Sequence, residues 1–294
     1  MMDGIIVMNK PKNYTSHDIV AIVKKKLGEK VGHTGTLDPN ATGVLPLLIG
    51  KGTKLSKYLV QHDKTYEVTL KLGEKTDTAD PEGEVIQEKP VREECFEREK
   101  LEEVFQQFLG KQEQTPPIYS AIKVKGKKLY EYARSGQEVE VPKREIEIYA
   151  ISLQEIRKRE KEIVFSVHCS KGTYIRSLCE DIAEKMGTVG YMKELNRTTV
   201  GCFRMEQAIS MEELENLDCK EIEKKIIPME QFFLDRPALN LDEKKMTLFQ
   251  NGVCLTAREL NQEVLEDGVY RIEQNHQFIG LGIAKENKIK RDIL

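Results

Sequence analysis

The sequence predicts an α/β (α+β) protein, with one large mixed domain followed by a small β-rich module. Three observations carry this. In TYEVTLKLG (65–73), Tyr66, Val68, Leu70 and Leu72 alternate with Glu67, Thr69 and Lys71, the pattern of a strand with one polar face. Apolar residues recur at helical spacing over 101–109 and again over 173–186. Beyond Pro237 the pattern changes to a short helix and short strands set off by Asn251-Gly252 and Asp267-Gly268.

In chain order, GIIVMNK (4–10) predicts a first strand. Ser16 is placed to cap a helix whose Ile19, Val20, Ile22, Val23 and Leu27 share one side. VLPLLIG (44–50) predicts a buried strand. Leu101, Val104, Phe105, Phe108 and Leu109 predict a helix ended by Gly110. TPPIYSAIKVKGKKLYEYARSG (115–136) begins with a proline pair, which favours an extended start, and ends as a short basic helix. Strands are expected at 144–157 and 162–170. The helix at 173–186 turns Ile175, Leu178, Cys179, Ile182, Ala183 and Met186 inward. The last expected elements are a helix at 242–249 and the strands VYRI and FIGLGIA.

Composition narrows the function. The chain has 294 residues, 39% of them hydrophobic, and no apolar run long enough to cross a bilayer. MMDGIIVMNK lacks a signal-peptide pattern. The six cysteines are scattered with no CxxC, as expected of small buried residues in a reducing compartment, so the expected location is cytoplasmic. A net charge of −3 argues against nucleic-acid binding, but the charge is segregated: +5 over residues 1–64, −7 over 65–115 and +4 over 119–144. Such segregation can build a basic face on a near-neutral protein; solvated helix faces are the plainer reading.

Several chemistries are excluded. GVLPLLIGKG has Leu45 where a phosphate-binding loop needs glycine, and Gly52 where it needs Ser or Thr. There is no GxGxxG after a strand, no GxSxG and no HExxH. His168 and Cys169 adjoin in a strand, so their side chains face opposite ways and cannot form a nucleophile–base pair. Asp77, Asp80 and Glu82 lack calcium-loop spacing and predict a turn. No metal and no cofactor is expected.

Four features remain. GHTGTLDPNATG (32–43) sets a single carboxylate, Asp38, among three glycines and three threonines. Pro39 pushes Asp38 toward an extended conformation; an ordinary Asp-Pro turn is the plain alternative. Arg176, in KGTYIRSLCEDI, falls in the first turn of a helix with Thr173 as the expected N-cap, where a cation opposes the helix dipole. A charge so misplaced implies a buried or half-buried anion as its partner. Tyr66 shares the apolar face of its strand and is, by periodicity alone, a core residue. Tyr119, Tyr130 and Tyr132 interleave with Lys123, Lys125, Lys127, Lys128 and Arg134, a pattern suited to phosphate contact and base stacking.

Together these resemble the TruB family of tRNA pseudouridine synthases. The matching segments are VMNKPKNYTSHD (7–18), GHTGTLDPNATGVLPLLIGKGTK (32–54), DKTYEV (63–68), LGEKTDTAD (72–80), PPIYSAIKVKGKKLYEYAR (116–134), CSKGTYIRSL (169–178) and, more weakly, ELNRTTVG (194–201). The resemblance implies a pseudouridine synthase fold with a mixed, mostly antiparallel central sheet over residues 1–235. It implies an RNA-gripping insertion at about 116–148, poorly ordered without RNA, and a β-barrel-like PUA RNA-binding domain over 236–294.

The implied reaction is isomerisation of uridine 55 in the T loop of tRNA. The glycosidic bond breaks, the uracil turns and a bond forms from its C5. Nothing is lost overall, which fits the absence of a cofactor signature. One fixed carboxylate can suffice because the leaving uracil stays bound as the next nucleophile, and a carboxylate near C1′ can stabilise its electron-poor character. By resemblance Asp38 is the catalytic aspartate, and Arg176 is its partner, expected to lower its pKa. Tyr66 stacks on the uracil and helps remove the C5 proton, Leu195 forms an apolar wall and Tyr174 contacts the nucleotide. His33 enters the T loop in place of the flipped base. Lys10 and Lys64 are expected as phosphate or structural contacts. Attack at the base, attack at C1′ and elimination through a glycal stay open. A tRNA T stem-loop is the expected partner, with no guide RNA and a monomeric protein. The alternatives are an RNA-folding chaperone, or a synthase acting on another RNA.

Overall fold

The fold was analysed in a computed structural model, which describes residues 2–59 and 62–293. In chain order the first domain contains β1 (Gly4–Lys10), α1 (Ser16–Leu27), β2 (Val31–His33), β3 (Thr42–Ile49), α2 (Ser56–Leu59), β4 (Lys64–Leu72), β5 (Glu74–Thr76), β6 (Val85–Glu88), α3 (Arg98–Gln106) and β7 (Gly110–Gln114). It continues with β8 (Lys123–Val124), β9 (Lys127–Lys128), α4 (Leu129–Arg134), β10 (Arg144–Arg157), β11 (Glu162–Cys169), α5 (Ile175–Lys185), β12 (Gly190–Val200), β13 (Phe203–Arg204), α6 (Met211–Asn216) and α7 (Cys219–Lys225). The C-terminal module contains β14 (Ala238–Asn240), α8 (Glu243–Gln250), β15 (Leu255–Thr256), β16 (Gly268–Gln274), β17 (Gln277–Lys285) and β18 (Lys288–Ile293).

Nine strands form the central sheet, in the order β1-β3-β12-β4-β11-β10-β7, with β2 also on β3 and β13 on β12. The sheet is mixed and mostly antiparallel, as expected; the β12–β3 pairing, Asn196 opposite Thr42, is parallel. The alternation read in β4 determines its packing. Val68, Leu70 and Leu72 lie under α5 and α3 with Phe105, Phe165, Leu178 and Ile182, while Glu67 lies on the opposite, open face. At the other end of the sheet, α1, α6 and α7 cover β1 and β3 through Ile19, Val23, Leu214 and Ile222.

Two helix starts differ by one residue from those expected, and each shift matters for the site. Thr15, not Ser16, is the N-cap of α1, in a capping box with Asp18. Tyr174, not Thr173, is the N-cap of α5, and its side chain makes no capping bond. Arg176 stays in the first turn.

In the 116–148 span, β8 and β9 form a small hairpin that leads into α4; residues 144–148 already belong to β10, paired with β7. The C-terminal module is a five-stranded sheet, β14-β16-β17-β18-β15, with α8 packed on it through Met246 and Phe249. A shared apolar cluster joins it to the large domain: Leu281 and Ile293 meet Ile5, Val7, Phe203 and Phe233. Beside that seam, the Tyr58 hydroxyl donates to Asp292 at 2.6 Å.

Candidate active site

The loop between β2 and β3 is held at five consecutive residues, and Asp38 sits among them. Ser16, relieved of capping duty, turns its hydroxyl inward. It accepts from the Leu37 N–H at 2.9 Å and lies 3.2 Å from the Leu37 carbonyl. The Lys10 ammonium donates to the Pro39 carbonyl at 3.0 Å, and the Asn13 N–H donates to the same carbonyl at 3.0 Å. The Ala41 N–H donates to the Asp38 carbonyl, closing a turn with Pro39 at its second position. The Asp-Pro turn is therefore real, and it presents the carboxylate. Upstream, Arg197 donates to the carbonyls of Gly35 (3.2 Å) and Thr36 (3.4 Å).

Of the loop's three glycines, only Gly43 has to be one. Its φ is +109°, and an added Cβ would lie 2.3 Å from the Arg197 carbonyl, at the parallel contact of β3 with β12. Gly32 and Gly35 have room for a methyl group.

Arg176 meets Asp38 as the dipole argument requires. Its Nε lies 3.2 Å from Asp38 Oδ2, and its side chain is only 8% exposed against 37% for Asp38. The other nitrogens are also committed. Nη1 donates to the Thr78 carbonyl at 3.1 Å and lies 3.5 Å from Asp80 Oδ2, while Nη2 donates to the Tyr119 carbonyl at 2.9 Å. Asp80 is thus a second acid on the same guanidinium. Sequence reasoning assigned it only to a turn, which it also makes, by accepting from the Thr78 hydroxyl and the Glu82 N–H.

This geometry corrects the expected pKa shift. Enclosure pushes the Asp38 carboxyl above its ordinary value; Arg176 pulls it down, Asp80 pushes it further up, and the net direction is upward. The guanidinium limits the rise and does not reverse it.

Tyr66 is buried in β4, with its phenol pushed up to about 12 by burial, a rise moderated by the guanidinium of Arg197, its cross-strand partner on β12. Arg197 is the largest fully buried side chain of the chain's described residues, and sequence reasoning missed it. The signal available was an arginine two residues beyond Leu195 in an otherwise inward-facing strand register. Leu195 is buried opposite Val68, one step along β4 and β12 from the Tyr66–Arg197 pair. Tyr174 is half-buried, its hydroxyl raised by desolvation with Arg144, Arg176 and Asp38 close enough to act on it.

Lys64 reaches the same loop: its ammonium donates to the His62 carbonyl at 2.6 Å, and its Cε approaches Gly35. Burial lowers it to about 8. His33 lies on β2, edge-on to His17 with ring centroids 5.4 Å apart; its buried Nδ1 has no partner, and burial lowers its pKa. Asp38 therefore lies close enough to act on Arg176, Tyr66 and Tyr174, and these form one cluster, which Lys64 joins through Arg197 and Leu195 through the β4–β12 pairing. His33 stands beside it, linked electrostatically through Arg197.

Lys10 takes the structural one of its two expected roles. It is wholly buried, and its ammonium is spent on the carbonyls of Pro11, Tyr14 and Pro39 at 3.0, 2.6 and 3.0 Å. Burial pulls its pKa down to about 8. Because the folded value lies below the unfolded one, stability attributable to this group rises with pH from about 8 to 10.5. Lys10→Met is expected to leave the Pro11 and Tyr14 carbonyls without a donor and Pro39 with the Asn13 N–H alone, lowering stability by about 3 kcal/mol in urea unfolding. A change under 1 kcal/mol would contradict that role.

In the basic segment, the Lys128 ammonium and the Arg134 guanidinium lie over the Tyr130 ring at 5.3 and 5.4 Å, and the Lys127 ammonium over Tyr132 at 5.8 Å.

Comparison with known proteins gives the family. Residues 22–175 match the TruB family pseudouridylate synthase N-terminal domain, and residues 176–233 match the tRNA pseudouridylate synthase B C-terminal domain. The chain is 42% identical over 291 residues to tRNA pseudouridine synthase B of Caldanaerobacter subterraneus subsp. tengcongensis, covering 98% of both chains. It is 45% identical over 256 residues to tRNA pseudouridine synthase B of Shouchella clausii, covering 86% of this chain and 84% of that one. Among solved structures, a chain of a Cbf5-Nop10-Gar1 complex superposes with a TM-score of 0.68 at 27% identity, over 96% of this chain and 78% of that one. With Asp38 in the first matched region, its partner Arg176 opening the second, and relatives more than 40% identical over most of the chain, the chain belongs to the TruB family of pseudouridylate synthases.

Proposed function

We propose that this enzyme converts uridine 55 in the T loop of tRNA to pseudouridine, with Asp38 as the catalytic carboxylate. The observation that carries the reading is the Asp38–Arg176 pair, 3.2 Å apart, with Asp38 close enough to Tyr66 to act on its phenol. The relatives named tRNA pseudouridine synthase B support the substrate class. Asp38 acts next to C1′ of the flipped nucleotide as its glycosidic bond breaks. Tyr66 stacks on the uracil, with Leu195 as the facing wall, and Tyr174 contacts the nucleotide. Because burial holds the Tyr66 phenol protonated through the neutral range, its part in the C5 proton transfer is that of a relay, giving up its own proton as it takes the other, and not of a free base. His33 occupies the space the base leaves. Lys64 contributes positive charge along the RNA path.

Residues 1–235 form the synthase domain, the 116–148 segment grips the RNA, and 236–294 form a PUA-like RNA-binding domain. The enzyme works in the cytoplasm as a monomer without a guide RNA.

The test is release of tritium from C5-labelled uracil in a T stem-loop RNA. Wild type is expected to release it stoichiometrically with the target uridine; no release from any tRNA would contradict the reading and favour a binding protein. Tyr66→Phe keeps the ring and loses the hydroxyl, and turnover is expected to fall by at least about tenfold. Unimpaired turnover would remove the proton role.

A further inference from the structure

We propose that Gln114 and Ser177 are positioning residues for Arg176. They clamp the start of the 116–148 segment onto the first turn of α5, so that the Tyr119 carbonyl holds Nη2 and leaves Nε aimed at Asp38. This rests on the function proposed above for Asp38 and Arg176.

The first turn of α5 lacks a side-chain cap of its own. In its place, Gln114, at the end of β7, grips the Tyr174 peptide from both sides. Its Oε1 accepts from the Tyr174 N–H at 2.8 Å, and its Nε2 donates to the Tyr174 carbonyl at 3.0 Å. One turn on, the Ser177 hydroxyl donates to the Thr115 carbonyl at 2.9 Å. Gln114 and Ser177 are both buried polar side chains, so leaving either without its partner carries a desolvation cost.

Thr115 is followed by Pro116 and Pro117, which fix two successive φ angles and leave little slack before Tyr119. The Tyr119 carbonyl then receives Arg176 Nη2 at 2.9 Å. The two ends of this stiff tether are thus tied to Ser177 and Arg176, adjacent residues of one helical turn. Beyond it, the Tyr130 N–H donates to the Ser120 carbonyl and the Leu129 N–H to the Ile122 carbonyl, linking the basic hairpin and α4 to the same point. The segment proposed to grip RNA therefore carries one of the four acceptors that orient Arg176.

The test pairs Ser177→Ala with Ser177→Thr and adds Gln114→Met. In Ser177→Ala the tether loosens, and Arg176 restrains Asp38 less. Turnover of C5-tritiated T stem-loop RNA is expected to fall about tenfold, with the Kd for that RNA changed less than about threefold. The Asp38 carboxyl, followed by ¹³C NMR and assigned with Asp38→Asn, is expected to titrate at least about half a pH unit higher. Ser177→Thr restores the hydroxyl and both values. Gln114→Met shifts both the same way; if it fails to fold, Ser177→Ala decides. Wild-type turnover with wild-type titration in Ser177→Ala overturns the proposal. So does slower turnover with an unmoved Asp38 midpoint, which marks a merely structural contact. Inactive wild type would refute the function reading instead, and the titration alone would then decide the positioning.

Discussion

Asp38→Asn is expected to abolish turnover, by at least about 10⁴-fold, while RNA affinity stays near wild type. A loss of that size corresponds to about 5.5 kcal/mol of transition-state stabilisation. The asparagine fits the same turn, because apart from the Arg176 contact the bonds that hold the loop go to the backbone of residues 35–39. What disappears is the negative charge next to the reacting sugar. The variant should also melt no lower than wild type at pH 7. The carboxyl is pushed upward by enclosure, so the folded state binds its proton more tightly than the unfolded chain, and the ionised form costs stability at neutral pH. Removing the charge removes that cost. Loss of activity with an unchanged or raised Tm would separate chemistry from folding; turnover within tenfold of wild type would contradict the assignment of Asp38. The same upward shift sets the acid limb of the pH–rate profile. Activity should fall as pH drops through a value above the ordinary 3.8 of aspartate; an acid limb below it would contradict the balance of burial over pairing.

Arg176→Lys is the second large effect, expected to lower turnover by about 10²- to 10³-fold. The guanidinium divides its donors among Asp38, Asp80 and the carbonyls of Thr78 and Tyr119, on three separate segments. A lysine ammonium keeps the charge but is a point donor that cannot reproduce the planar fork. Arg176→Ala should also lower stability, by about 3 kcal/mol, because it leaves two acids facing each other without a cation. Turnover of Arg176→Lys within threefold of wild type would mean that charge alone suffices and that the fork's orientation does not matter.

The elements legible in the sequence were those with local signals. The alternation in 65–73 gives β4 and its buried face, and a cation in a first helical turn points to a nearby anion. Both depend on residues a few positions apart. What escaped reading depends on contacts between distant segments. Ser16 meets Leu37 across 21 positions, and Arg197 meets Gly35 across 162. Lys10 ends a strand whose pattern says nothing about where its ammonium goes. Asp80 lies in a turn whose local bonds fully account for an aspartate, so nothing nearby signals its second role on Arg176. The expected fall in the Asp38 pKa weighed the neighbouring charge alone; how deeply the loop is enclosed is a property of the folded cleft. In the C-terminal module, the short strands β14 and β15 carry too few residues to show a period. The hairpin turns Asn275-His276 and Glu286-Asn287 adopt positive φ at all four residues without a glycine to mark them.

The account stands on the Asp38 carboxylate, fixed by Arg176, lying against the sugar of an extruded uridine. A structure of Asp38→Asn bound to an unreacted T stem-loop RNA tests that most directly. The account predicts the target uridine out of its stack with its uracil against Tyr66, and its C1′ about 3–4 Å from the side chain of residue 38. A uridine still stacked within the loop, or a C1′ more than about 6 Å from that side chain, would contradict it.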